Sequence, residues 1–264
     1  MFSLSTPVAY ISAVVLIGWA IANSGAGVEI FISPASMAIV LGGTIAATII
    51  SYDMKAFLKA LAAIFRSFMG NNHSKKHLVE ITEFFIGAAA KAKKGDFVSI
   101  EEEVPAALKK DPVFLKGINL LVSRYSSDQI RTVLNNTNDA VWQQYTADTS
   151  VLNRMASYAP GFGVMGTIIG LMGMMQNMSG DMAQMGQSLA VAFVTTFYGI
   201  LLAQLLFKPS AGALTTLQEG AHYRGQILVQ AFVAIADKMD PEQLKDRLEP
   251  LVDPMATPQL EGEG

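Results

Sequence analysis

Three threonines, Thr167, Thr195 and Thr196, stand inside two long apolar stretches of this 264-residue chain. Hydroxyl oxygens are hard ligands, so threonines lining a narrow passage would offer the coordination that hard cations prefer. A helical threonine also bonds back to a carbonyl of its own helix, and that plainer reading stands beside the first. Histidine offers a second chemistry: His73 and His77 are four apart, the spacing that sets two imidazoles on one helical face for a metal. Lys75 and Lys76 intervene and no carboxylate completes a site on that turn, so both, with His222, read as solvated surface residues. The absence of cysteine excludes disulfides, thiol nucleophiles and cysteine metal sites. No nucleophile–base grouping or phosphate loop is present, so the chain does not read as an enzyme and implies no cofactor.

The elements that hold the threonines are set by composition. Charged residues make up 16% of the chain, against about 25% in a soluble domain. Its net charge of −3 argues against nucleic-acid binding, which needs a concentrated basic face. Four stretches have the roughly 20 apolar residues needed to span a bilayer: Leu4–Ala22, Ile30–Ser51, Met155–Asn177 and Met185–Phe207. The first lacks a basic leader and a small-residue cleavage site, so it reads as a retained helix. Of the 19 Lys and Arg, fourteen lie between Tyr52 and Arg154 and the other five from Lys208 onward, while the connections 23–29 and 178–184 have none. The positive-inside rule then places the large loop, the tail and both termini in the cytoplasm.

None of the four stretches contains Asp, Glu, Lys, Arg or His. Ion-coupled membrane machines hold an ionisable residue within the bilayer, where its cost marks it as functional. If this chain conducts coupled ions, the carboxylate comes from a partner, and a self-sufficient pump or secondary transporter is disfavoured. The third span sets Gly163, Gly166, Gly170 and Gly173 on one face, and the fourth sets Ala192, Thr196, Gly199 and Ala203 on another. Such faces let backbones approach closely. Two readings are open: packing within the chain, or an enclosure for a helix of another polypeptide.

The cytoplasmic segments read as all-α. Met54, Phe57, Leu58, Leu61, Ile64, Phe65 and Phe68 repeat at the spacing of one helical face, which fits an interface helix along anionic lipid or the first core helix of the loop. A helix is expected from about Lys76 to Lys94, ending before Gly95. Ser99 with Glu102 and Ser126 with Gln129 fit capping boxes, and Asp111-Pro112 is a start signal. Past the fourth span the helix is expected to continue, with Pro209 near the boundary and a short helix from Pro241. The domains are therefore expected as 1–52, spans one and two; 53–154, cytoplasmic helical domain; 155–208, spans three and four; 209–252, cytoplasmic helical extension; and 253–264, a disordered acidic tail.

Two motifs are more specific. Ala159-Pro160-Gly161-Phe162-Gly163-Val164-Met165-Gly166-Thr167-Ile168-Ile169-Gly170-Leu171, and Thr195-Thr196-Phe197-Tyr198-Gly199 followed by Pro209, resemble the A-subunit of the bacterial flagellar stator, the MotA/PomA family. The likeness extends over nearly the whole chain. It implies a multi-pass protein of the bacterial inner membrane, assembled as a homopentamer around two copies of a single-span MotB/PomB-like B-subunit. That subunit brings a membrane aspartate and a peptidoglycan-binding domain, the carboxylate that the uncharged spans require. By the same resemblance Thr167 and Thr196 adjoin the ion path, Pro160 and Pro209 transmit rearrangement, and a basic residue with a glutamate eight positions on faces the rotor protein FliG. Lys93 and Glu101 have that spacing, with Lys94 and Glu102 next; lysine stands where the family has arginine, keeping the charge and losing the planar fork. The ion is H⁺ or Na⁺, with the paired threonines leaning slightly to Na⁺. The nearest rival is an ExbB/TolQ-type energiser, which has three spans and an outside amino terminus; a stator of non-flagellar machinery and a recruiting scaffold are the others.

Overall fold

The computed structural model describes residues 5–25, 27–68, 75–93, 104–105, 108–176, 178 and 182–252. Most of those residues are helical, with no strand among them. Ser5–Ala22 forms α1, and a 3-10 turn over Val28–Phe31 leads into α2, Pro34–Met37. Ser33 caps α2, accepting from Ser36 N–H at 3.2 Å, and Pro34 opens it with a preset φ. A π-helical turn, Ala38–Gly42, joins α2 to α3, Gly43–Ser51. Then come α4, Met54–Phe68; α5, Lys75–Lys93; α6, Pro112–Val122; and α7, Ser127–Gln176. The described residues end in α8, Met182–Leu201, a second π-helical turn, Leu202–Phe207, α9, Lys208–Ala236, and α10, Pro241–Val252.

Three helical stretches are long and apolar enough to cross a membrane: Val28–Ser51, Ser127–Gln176 and Met182–Ala236. The apolar run Pro7–Ala22 is shorter. It is apolar all round, with Val8, Ile11, Val14, Val15, Leu16 and Trp19 exposed. A helix of that character has no core-facing stripe, which marks it for lipid or for another chain.

The chain divides into two compact units. Met1–Asn71 with Tyr145–Thr216 makes the first, and Asn72–Gln144 with Leu217–Gly264 the second. In the first, tyrosine hydroxyls tie helices together. Tyr10 bonds Ser210 at 3.2 Å, Tyr158 bonds Ser51 at 2.7 Å, and Tyr198 donates to the Phe31 carbonyl while Phe31 meets Phe197 edge-on. The expected apolar face of α4 splits. Phe57, Ala60, Ala63 and Ile64 pack inward, while Met54, Leu58, Leu61 and Phe65 stay exposed.

The second unit has an aromatic core in which Phe85 meets Phe232 at 5.1 Å and Phe114 at 6.1 Å between centroids. Asp111 starts α6, as its place before Pro112 predicts, and accepts from Val113 N–H and Phe114 N–H at 2.9 and 3.1 Å. Its other oxygen takes both Nη2 and Nε of Arg224, at 2.7 and 3.0 Å. Ser126 and Gln129 form the expected reciprocal box before α7. The Ser99–Glu102 box, the Gly95 stop and the tail 253–264 lie outside the described residues.

His222 departs from the solvated surface expected for it. It is half-buried, lies tilted against the Trp142 ring with centroids 4.9 Å apart and meets Asn138 Nδ2 at 3.1 Å. His77 is partly exposed and meets Glu80 at 3.4 Å, and His73 lies outside the described residues.

Candidate functional site

The polar centre of the first unit lies where α7 crosses α8. The four glycines of α7 form the seam. A Cβ on Gly163 would stand 3.1 Å from the Thr195 carbonyl oxygen and 3.4 Å from Gly199 Cα; one on Gly170 would stand 2.7 Å from both Ala192 N and the Ser188 carbonyl oxygen. At Gly166 the space is filled by Thr195, whose own Cβ would be 2.6 Å from one added there, and Gly173 faces Ser188. From the other side Gly199 and Ala192 meet this row, while Ala203 is buried one turn beyond. The glycine face is thus occupied within the chain, which is the first of the two readings that the sequence left open. Val164, Met165, Ile168, Ile169 and Met172 of α7 and Phe193 and Ile200 of α8 remain exposed. Those are the faces available to another polypeptide.

Close approach of the two backbones brings Thr167 and Thr196 into direct hydroxyl–hydroxyl hydrogen bonding. Thr167 Oγ1 also lies 3.2 Å from the Gly163 carbonyl oxygen and 3.1 Å from that of Ala192. Thr196 Oγ1 lies 3.4 Å from each of the same two carbonyls. Each hydroxyl has one hydrogen to give and two lone pairs. With carbonyls and a neighbouring hydroxyl taking the hydrogens, the capacity left over is for accepting. Such a cluster suits a cation or the proton of a neutral carboxylic acid.

Thr195 is placed differently from this pair. It is 0% exposed, and its hydroxyl donates within its own helix to the Val191 carbonyl at 2.8 Å, with the Ala192 carbonyl at 2.9 Å. Its side chain fills the notch at Gly166, so the seam, not the open side of the cluster, is where it acts.

Pro160 lies inside α7, where it supplies no N–H to the helix, and Gly199 packs on it. Pro209 is exposed in the first turn of α9, directly after the second π-helical turn. Lys93 ends α5 and pairs with Asp240 at 2.5 Å, both partly exposed. Lys94, Glu101 and Glu102 lie outside the described residues. Among the described residues no cluster of three His, Cys, Asp or Glu side chains could hold a metal.

The apolar stretch Val28–Ser51 contributes groups that the sequence reading passed over. Ser36, Thr44 and Thr48 are each 0% exposed, on one face with Val40. Their spacing of eight and four, that of one helical face in an otherwise apolar helix, was the available signal.

Known proteins resemble this chain in sequence and in fold. Residues 106–227 match the model of the MotA/TolQ/ExbB proton channel family, and residues 8–96 match that of the motility protein A N-terminal region. The chain is 29% identical to chemotaxis protein PomA of Vibrio alginolyticus over 85% of each. It shares the fold of the C. jejuni MotAB structure, with a TM-score of 0.82 at 19% identity over 99% of this chain and 100% of that one. The flagellar MotAB stator complex from Bacillus subtilis gives 0.78 at 22% identity, over 92% and 93%. The two matched stretches together cover most of the chain's length, and in sequence and in the helical fold of its described residues the chain is similar to the MotA/TolQ/ExbB proton channel family, on its motility protein A side.

Proposed function

We propose that this protein is the ion-conducting subunit of a flagellar stator, working with a MotB-like partner to turn a transmembrane ion gradient into torque. The observation that carries the reading is a combination. The Thr167–Thr196 cluster has accepting capacity to spare, and the spans around it hold no Asp, Glu, Lys, Arg or His. The charge that moves must therefore sit on a second polypeptide. A partner with a single span, a membrane aspartate and a peptidoglycan anchor supplies it. Protonating or neutralising such a carboxylate at a helix centre changes a cost of roughly 2.5–3.5 kcal/mol, enough to bias two arrangements about a hundredfold.

In this reading the chain crosses the bacterial inner membrane four times, with α1 as the first span and both termini cytoplasmic. Residues 1–52 and 155–208 form the spans, 53–154 and 209–252 the cytoplasmic helical parts, and 253–264 a tail. Five copies surround two partner spans, and the exposed face of α4 rests on lipid. Thr167 and Thr196 border the ion path, Thr195 supports them from the seam, and Pro160 and Pro209 transmit rearrangement. Lys93, with Lys94, Glu101 and Glu102, meets the rotor protein FliG. The transported ion is H⁺ or Na⁺; the family description names protons, and the threonine pair is the support for Na⁺. The N-terminal match to motility protein A favours the stator over an ExbB/TolQ-type energiser.

The test is reconstitution into vesicles with and without the partner. Ion influx is expected only from the pair, and it should vanish when the partner's aspartate becomes asparagine. Influx from this chain alone would overturn the reading. Swimming speed against external sodium, with an uncoupler control, decides the ion.

A further inference from the structure

Among the described residues, Thr44 Oγ1 is the one buried side-chain polar atom left without a hydrogen-bond partner, and its residue is 0% exposed. Other buried helical threonines use the acceptor that a helix offers, the carbonyl four residues back. Thr48 donates to Thr44 O at 2.7 Å, Thr82 to Leu78 O at 3.0 Å, Thr149 to Tyr145 O at 3.2 Å and Thr195 to Val191 O at 2.8 Å. For Thr44 that acceptor is the Val40 carbonyl, which lies inside the π-helical turn Ala38–Gly42 and already accepts from Gly43 N–H. A π turn holds one residue more than the α turn it replaces, and such turns cluster at functional sites. An orphaned buried polar group also calls for a reason. Here the two anomalies adjoin.

The segments on either side of this turn touch the hydroxyl cluster's own supports. Ser36 Oγ lies 3.5 Å from the Val191 carbonyl oxygen, one residue before Ala192. Gly43 lies against the Phe162 ring, one residue before Gly163. Ala192 and Gly163 supply the two carbonyls that Thr167 and Thr196 share.

We propose that the second span has two registers. In the one observed, the turn is π-helical and Thr44 is unpartnered. In the other, the turn winds as α-helix and Thr44 donates to the Val40 carbonyl. Passing between them rotates the stretch preceding the turn by about 100°, one residue's share of a helical turn. That rotation carries Ser36 off the Val191 carbonyl and so shifts the backbone that holds the cluster. Thr44 is a positioning residue, acting on the path through α8. The cycle that would use the two registers is the one given under the proposed function, and the inference rests on that reading to this extent.

The chain has no cysteine, so an introduced pair reports without background. Ser36→Cys with Val191→Cys, assembled with the partner in vesicles, is expected to cross-link in the π register. Oxidation should cut ion influx about tenfold or more, and reduction should restore it. Thr44→Val, which removes the hydroxyl that favours the α register, should assemble normally, cross-link faster and conduct several-fold more slowly; Thr44→Ser should behave as the parent. Full influx from the cross-linked pair, or parental influx and cross-linking from Thr44→Val, overturns the proposal. If Thr44→Val does not assemble, the reversible effect of the cross-link decides alone. A parent that conducts nothing with its partner would sink the stator reading instead, and the cross-linking rates of the Val and Ser variants would still settle the registers.

Discussion

Gly199 lies against Pro160: a Cβ at position 199 would stand 3.2 Å from Pro160 Cα and 2.7 Å from the Ala159 carbonyl oxygen. Those neighbours are backbone and cannot swing aside. Gly199→Ala should therefore force α7 and α8 apart, at an overpacking cost of about 1–3 kcal/mol. Heat-induced aggregation of the detergent-solubilised complex should begin at lower temperature, and swimming should fail. Gly186→Ala is the control, because nothing lies within 4 Å of its Cβ position. Equal behaviour of the two variants would contradict the seam.

Thr196→Val keeps the shape of the side chain and removes the hydroxyl that Thr167 meets. Ion influx and swimming speed should fall strongly, while Thr196→Ser should retain much of both. Thr195→Val should act otherwise, through stability, since that hydroxyl bonds within its own helix at 2.8 Å. A buried hydrogen bond contributes about 1 kcal/mol net. The measurement is influx divided by the amount of assembled complex. Identical loss from the 195 and 196 variants would erase the distinction drawn between them.

Asp111 is a buried carboxylate with several partners. It caps α6 through two backbone N–H groups and holds Arg224 through two nitrogens, with its own side chain 4% and that of Arg224 20% exposed. Arg224→Leu leaves this carboxylate buried without its counter-ion, a class of change that costs roughly 3–5 kcal/mol. The partial exposure of Arg224 puts the expectation at the low end. Proteolysis in rising urea should cut the 72–144 segment first. Asp111→Asn keeps the cap and loses the charge, so it should be the milder variant.

Lys93 and Asp240 make an exposed pair, with side chains 40% and 54% accessible. Exposed pairs contribute little, about 0–1 kcal/mol, so Lys93→Gln should leave folding nearly unchanged. Under the proposed function it should nevertheless slow swimming, and the defect should deepen as salt screens the remaining contacts. A large stability loss with normal motility would place Lys93 in the fold and not in the rotor contact.

How much was legible beforehand depended on whether a signal was local. Asp111-Pro112 and Ser126–Gln129 announce helix starts through their own chemistry, and both are found in place. The end of α6 has no such signal. Arg124 takes a φ of 55° where glycine would normally mark the stop, and Lys238 does the same at 53° past α9. The glycine row was visible as spacing, but what faces it is a tertiary fact. No pattern in one helix says which neighbour fills it. For the same reason the threonines looked equivalent in sequence, although a single residue separates one hydroxyl turned into the seam from one turned out of it. Uniform 3.6-residue winding hid the π-helical turns, and with them Thr44.

Bare backbone against backbone also sets how α7 and α8 can respond to force. Where side chains interdigitate, a push is absorbed by rotamer changes before the main chain moves. Between Gly163, Gly170 and Gly199 main chain meets main chain, so a push that presses the two helices together is met at once by backbone with little side chain to give way.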